Sequence, residues 1–241
     1  MACARTEPVP PRVAGEGPVT RRLETMRIGV LGTGEVGRAL AGRFAEVGHD
    51  VMIGTRDVQA TLAKGDAWYG GHPEVRLGTQ AEVAAHGEIV VNANSGHGSL
   101  PALTNAGETN LTGKVLIDVS NSLDLSQGFP PSLFMPNTDS LGEQIQRAFP
   151  TARVVKTLNT VGNQVMVHPE RVGDGDHTIF VSGNDADAKT VVSGLLREFG
   201  WTDIVDLGDI TTARGPEMYL PLWVRLFGPV GHGNLNMKLV R

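Results

Sequence analysis

Residues 27–37 read Arg27-Ile28-Gly29-Val30-Leu31-Gly32-Thr33-Gly34-Glu35-Val36-Gly37. An apolar run enters a Gly32-x-Gly34-x-x-Gly37 turn, and an amphipathic pattern starts at once. Val36, Leu40, Phe44 and Val47 fall at i, i+4, i+8 and i+11, one helical face. Gly48-His49 closes that helix, and Asp50 to Arg56 reads as a second strand. Each glycine has a physical role here: Gly32 allows the tight turn, Gly34 lets a pyrophosphate approach the backbone, and Gly37 lets the helix pack on the strand. The helix start, with its free N–H groups and positive dipole end, faces the phosphates. Glycine triads also arise by chance in a chain with 31 glycines among 241 residues. The strand–turn–helix–strand order within about 30 residues is what marks a dinucleotide-binding βαβ unit. Residues 32–37 (Gly32, Thr33, Gly34, Glu35, Val36, Gly37) are therefore the first candidate cofactor contacts.

The end of the second strand selects the nucleotide. A carboxylate there accepts from the ribose 2′-hydroxyl of NAD, whereas an arginine suits the 2′-phosphate of NADP. Gly54-Thr55-Arg56 occupies the place. Thr55 can donate a hydroxyl hydrogen bond and Arg56 offers a planar fork to phosphate oxygens, so NADP is favoured. Asp57 follows one position late and leaves NAD open.

The rest of the chain bounds the function. A net charge of −5 with no basic block argues against nucleic acid or an anionic membrane as partner. Cys3 is the single cysteine, so neither an internal disulfide nor a thiolate metal cluster can form, which suits a cytoplasmic setting. No apolar run reaches 18 residues, and residues 1–25, rich in proline and lacking an apolar core, read as a disordered tail rather than a signal peptide. Two further units are expected: a dinucleotide-binding domain over 26–160, and an extension of the sheet with a dimer or substrate helix over 161–241.

Thr79 to Glu82 and Ser140 to Glu143 are capping boxes that open short helices. Strands are predicted near 75–77, 88–92, 114–119, 153–158, 177–181 and 202–207, with a helix after Asn184 that stops at Gly200. Alternating strands and helices imply an α/β fold with a Rossmann-type doubly wound parallel sheet and a small C-terminal helical portion. A last helix from Thr211 to Phe227 should start late or kink at Pro216 or Pro221, and 228–234 reads as loop.

Ligands of such sheets sit beyond the carboxyl ends of the strands. Three of those ends carry uncharged polar groups: Asn92, Asn94 and Ser95; Ser120 and Asn121; Asn159 and Thr160. Singly, each has an even chance of being a turn residue. Together they could hold ribose hydroxyls and a carboxamide without placing charge beside a hydride path. His97 and Thr160 are candidate substrate contacts. Met218, with the other apolar residues of the last helix, could line a ring pocket or simply pack against a second subunit. Lys156 lies within a strand and reads as a snorkelling stem more readily than as a proton donor. No HExxH, GxSxG or paired-cysteine motif exists, so no metal and no definite catalytic residue is assigned. That poverty is tolerable where both reactants are cofactors and the protein supplies alignment.

Residues 26–241 resemble the NADP-dependent oxidoreductases that use the deazaflavin coenzyme F420. The resemblance rests on the glycine stretch, Ile53 to Arg56, Ile117-Asp118-Val119-Ser120-Asn121, Val155-Lys156-Thr157-Leu158-Asn159-Thr160 and the end from Arg214 to Leu239. The chain is also similar to the reductase domain of membrane ferric reductases. The first resemblance implies a homodimer, NADP at Thr33, Thr55 and Arg56, and the deazaflavin between the strand ends and the last helix. It departs from the expected apolar strand exit at Asn92-Ala93-Asn94-Ser95-Gly96-His97-Gly98. Two other readings stay open: an NADPH-dependent reductase of a flavin or a small carbonyl or imine, and a non-catalytic NADP-sensing regulatory protein.

Overall fold

The computed structural model describes residues 24–241, so the tail expected over 1–25 lies almost wholly outside the described residues. β1 (Arg27–Leu31), α1 (Glu35–Glu46) and β2 (Asp50–Thr55) form the βαβ unit. Two short helices that the sequence reading did not place, α2 (Val58–Leu62) and α3 (Ala67–Gly71), lead to β3 (Arg76–Thr79). Next come α4 (Gln80–His86), β4 (Ile89–Asn92), α5 (Gly96–Ala106), α6 (Glu108–Leu111) and β5 (Val115–Asp118). A hairpin of β6 (Leu123–Asp124) and β7 (Ser132–Leu133) precedes α7 (Leu141–Ala148), β8 (Arg153–Thr157) and α8 (Asn163–Val167). The chain ends through β9 (Thr178–Ser182), α9 (Ala186–Phe199), β10 (Asp203–Asp206) and α10 (Arg214–Val230).

Eight strands form one sheet in the order β10-β9-β8-β5-β4-β1-β2-β3. The strand order reverses between β1 and β4, which is where an open α/β sheet leaves a crevice for ligands. From β3 to β8 every pair is parallel, as the Rossmann-type doubly wound sheet requires, and β8 with β9 adds one antiparallel pair, so the sheet is mostly parallel. After β8 the chain forms no long crossover helix, only the one-turn α8 and short 3₁₀ turns. It therefore turns back beside β8.

Alternate strand residues feed two cores, as a period of two dictates for strands buried on both faces. Ile28, Val30, Val91, Ile117 and Val155 meet Leu40 and Phe44 of α1 and Val192, Leu196 and Phe199 of α9. Leu31, Val90, Leu116 and Val154 meet Val83 of α4, Leu103 of α5 and Ile145 of α7.

The Thr79 capping box forms in both directions, Thr79 Oγ1 accepting from the Glu82 N–H and Glu82 Oε2 from the Thr79 N–H. At Ser140 the hydroxyl caps the Glu143 N–H and donates to the Glu143 carboxylate, without the return bond to the backbone. Asp185 rather than Asn184 caps α9, accepting from the Ala188 N–H, while Asn184 Oδ1 accepts from the Ile210 N–H. Gly200 ends α9 in the left-handed region, φ +106. α10 is unbroken from Arg214 to Val230, so residues 228–230 are helix and not loop. Pro216 falls in its first turn, where the N–H has no helical partner to lose. Pro221 lies in the interior and withholds a donor from the Glu217 carbonyl. Among the described residues, no helix is long and apolar enough to cross a membrane.

Lys156 is not a snorkelling residue: its ammonium is fully buried. It donates to Asp118 Oδ2 at 2.8 Å, to the Ser120 carbonyl at 2.5 Å, and pairs with Glu217 Oε1 at 2.8 Å. Burial alone pulls its pKa down, but the attraction of Asp118 and Glu217 outweighs it and holds the ammonium above its ordinary pKa. A buried charge of this kind costs little while paired and much when its partner is removed. Lys156→Met should therefore lower unfolding free energy by about 3–5 kcal/mol in denaturant titration. On the acid side, hydrogen bonds from Arg214 hold the Glu143 carboxyl below its ordinary value of 4.5. That contribution is complete above the ordinary carboxylate pKa and disappears as pH falls through the lowered one. Denaturant titrations below pH 4.5 should show a shallower loss of stability for Glu143→Gln than for the wild type.

Candidate functional site

The glycine turn has the geometry its spacing implies. Gly32 sits at φ +119, and a Cβ there would lie 2.7 Å from the Ala93 carbonyl oxygen. A Cβ on Gly37 would fall 1.8 Å from the Gly32 carbonyl oxygen, so only glycine lets α1 close on the turn. Gly34 differs from both: a Cβ there would meet nothing within 4 Å. The space in front of it is open, and Gly34 supplies no side chain to cap α1. The first N–H groups of α1 are thus not capped from the Gly34 side and point to an approachable surface, a setting that suits an anionic group.

Beside this turn a cleft of about 580 Å³ runs along the carboxyl ends of β4, β5 and β8. Gly34, Glu35 and Val36 form one side, and Leu220 and Trp223 of α10 form part of its apolar wall. Of its lining residues only Glu35 is charged. The floor holds Asn94, Ser95, Ser120, Asn121 and Asn159; Asn121 and Asn159 bond each other, and Asn94 and Ser120 bond groups beneath the floor. The Asn94 amide donates to the Leu31 carbonyl at 3.1 Å and to Asn92 Oδ1 at 3.0 Å. Asn121 and Asn159 clasp: Asn121 Nδ2 donates to the Asn159 carbonyl, and Asn159 Nδ2 donates to Asn121 Oδ1, both at 3.0 Å. Ser120 Oγ donates to Asp118 Oδ1 at 2.6 Å.

A second cavity of about 290 Å³ shares Asn94 and Ser95 with the cleft. Arg56, Gln80, His97 and Pro101 line it, and no carboxylate does. Asp57 is spent elsewhere: its Oδ1 accepts from the Ala60 N–H and caps α2. Its side chain is thus committed, and Arg56 is the charged group at the end of β2 that lines the cavity. Thr55 Oγ1 is 2.9 Å from Thr61 Oγ1.

Several candidates are placed differently from expectation. Asn92 is fully buried beneath the floor, donating to Asp118 Oδ1 at 2.9 Å. Thr160 is buried outside the cleft lining, with a hydroxyl that has no hydrogen-bond partner. Met218 is 38% exposed and does not line the cleft. His97 lines the Arg56 cavity rather than the larger cleft, its ring stacked on Phe134 at 4.1 Å. The sequence reading missed Gly162, Asn163 and Met166, which complete the cleft from α8 and the turn before it. Their segment is five helical residues long, too short to display periodicity. Among the described residues, no cluster of histidine, cysteine or carboxylate side chains could hold a metal ion.

A glycine cradle at the strand-order reversal, an arginine at the end of β2 and a cleft lined mostly by amide, hydroxyl and apolar groups define a dinucleotide-binding oxidoreductase scaffold. The family described as NADP oxidoreductase, coenzyme F420-dependent, matches residues 27–122. A crystal structure of a protein from Arthrobacter sp. FB24, provisionally named an F420-dependent NADP reductase, is 57% identical with a TM-score of 0.88. The match covers 90% of this chain and 100% of that one. The F420-dependent NADP reductase of Methanocaldococcus jannaschii is 28% identical over 83% of this chain and 92% of its own length. Metalloreductase STEAP3 of Rattus norvegicus is also 28% identical over 83% of this chain, which spans only 38% of that protein's length. The chain belongs to the coenzyme F420-dependent NADP oxidoreductase family and is an NADP-dependent oxidoreductase.

The glycine geometry separates fold from binding. Gly37→Ala should cost about 2 kcal/mol or more of stability through forced overpacking. Gly34→Ala should leave stability within about 0.5 kcal/mol. By narrowing the cradle it should weaken NADP binding roughly tenfold, a loss of about 1.4 kcal/mol, in calorimetry. Equal effects of the two substitutions on stability would contradict the assignment.

Proposed function

We propose that this enzyme transfers a hydride between NADP(H) and the deazaflavin coenzyme F420. The observation that carries the proposal is the pairing of the two cavities: one presents Arg56 without an opposing carboxylate, and the other offers a cleft of about 580 Å³ with Glu35 as its one charged lining residue and an apolar wall. In this reading Arg56 and Thr55 take the 2′-phosphate, and the backbone of Gly32, Thr33, Gly34, Glu35, Val36 and Gly37 takes the pyrophosphate. Asn94, Ser95, Asn121 and Asn159 orient the nicotinamide end. Residues 26–160 supply the NADP half, and 161–241 supply the wall against which the second ring lies.

In the direction of F420 reduction one hydride would leave C4 of nicotinamide and form the C5–H bond of the deazaflavin, and one proton from water would complete F420H2 at a ring nitrogen. Neither position demands a protein nucleophile or a metal, which agrees with a cleft whose sole ionisable lining residue is Glu35. What the protein supplies is alignment and exclusion of charge from the hydride path. The polar exit from Asn92 to His97 is compatible with a flat second ring. Asn92 is buried, the Asn94 amide is bonded within the floor, and His97 lines the other cavity. Names borne by the Arthrobacter and Methanocaldococcus relatives support the same acceptor. We also assign the chain a homodimeric state, in which the exposed Leu222 and Phe227 of α10 would become buried.

Mixing the protein with NADPH and oxidised F420 should bleach the deazaflavin absorbance. Turnover of flavins, carbonyls or imines without F420 would favour the alternative reductase, and tight NADP binding without any turnover would favour a sensor. Arg56→Ala should raise KM for NADPH with little change for NADH, costing about 1.5–3 kcal/mol for one charge-assisted contact. An unchanged nucleotide preference would contradict the placement of the phosphate.

A further inference from the structure

The ionic ties of α10 to the rest of the described chain lie in its first turn, while Leu220 and Val224 further on are buried. Arg214 makes a two-pronged pair with Glu143 of α7, Nε to Oε2 at 2.8 Å and Nη2 to Oε1 at 2.6 Å. The Pro216 carbonyl accepts from Asn159 Nδ2 at 3.1 Å. Glu217 is buried and has three partners: Lys156 Nζ at 2.8 Å, the Leu141 N–H at 2.8 Å and the Gly142 N–H at 3.1 Å. One of these ties falls where the helix lacks a hydrogen bond of its own, because Pro221 has no N–H to give the Glu217 carbonyl. Leu220 and Trp223, one and two turns further on, are the α10 residues that line the cleft.

The other end of the same chain of contacts lies under the floor. Lys156 also holds Asp118, which accepts from Asn92 Nδ2, the Ser120 N–H and the Ser120 hydroxyl. Ser120 lines the cleft. A continuous buried path thus joins the floor at Ser120 to the wall at Leu220 and Trp223.

We propose that Lys156 and Glu217 are positioning residues for the second reactant: the buried Asp118–Lys156–Glu217 linkage sets where the α10 wall stands across from the glycine turn. The inference rests on the reading of the cleft as the site where NADP(H) meets its acceptor. Neither residue lines the cleft, so neither is a catalytic residue. Loss of the Glu217 tie should act mainly on the acceptor, because the adenosine and pyrophosphate contacts that set most of the nucleotide's affinity belong to β1, α1 and the end of β2.

The test is Glu217→Gln, which keeps the shape of the side chain and leaves Lys156 neutralised by Asp118. Glu217→Asp is the conservative companion, in which the charge is kept and the reach shortened. With oxidised F420 as acceptor, Glu217→Gln should raise KM for F420 roughly tenfold while Kd for NADP, by calorimetry, stays within about twofold. Glu217→Asp should recover part of the loss. Equal changes for acceptor and nucleotide, or no change in either at reduced thermal stability, would overturn the proposal. If the wild type does not turn over F420, the acceptor assignment fails by itself, and hydrogen exchange then decides the positioning role. Faster exchange confined to residues 218–230 in Glu217→Gln, with 27–46 unchanged, supports the linkage. Identical exchange in both segments refutes it.

Discussion

One ammonium group and two carboxylates, all buried, hold the ligand-binding end of this molecule together. Taking an unpaired charge from water into a protein interior is costly, so Lys156 can exist there only if its partners are held in place. The partners come from separate parts of the chain: Asp118 from the end of β5, Glu217 from the first turn of α10, and the Ser120 carbonyl from the exit loop. The two carboxylates are themselves satisfied, Asp118 by Asn92 and Ser120, Glu217 by two N–H groups at the start of α7. An error in the position of any one would leave a buried charge exposed to nothing. Such a network favours a single arrangement of floor and wall.

That constraint leaves the cleft itself nearly free of charge. The ionic groups sit one layer back, while the surfaces that face the cleft are amide, hydroxyl and hydrocarbon, with Glu35 the one exception. Such a separation suits hydride transfer between two flat rings, which needs close and fixed alignment more than an acid or a base. It also explains why a search for catalytic histidines and lysines returns nothing decisive. Lys156 is structural, and His97 stands beside Arg56.

Local signals were legible wherever a residue acts on its immediate neighbours. The glycine spacing foretold the tight turn at Gly32 and the close helix packing at Gly37, and the cap residues Thr79 and Ser140 foretold the starts of α4 and α7. The wall of the cleft was legible only as a set of apolar residues too many to face water, which could not tell Trp223 from Met218. The reversal of β9 was hidden because strand direction depends on what the intervening chain can span, and 161–177 carries no periodicity. α5 was hidden because Gly96, Gly98 and Pro101 are poor helix formers, and packing of Leu103 and Ala106 overrides them. Lys156 was misread because charge pairing between residues 38 and 61 positions apart leaves no trace in local sequence.

Direct passage of a hydride from one ring to the other is the central claim, and isotope transfer tests it without reference to any variant. NADPH carrying deuterium at the transferable C4 position, reacted with oxidised F420 in ordinary water, should deliver that deuterium to C5 of the deazaflavin with no loss to solvent. Deuterium appearing in water, or an F420H2 product carrying solvent hydrogen at C5, would contradict the account.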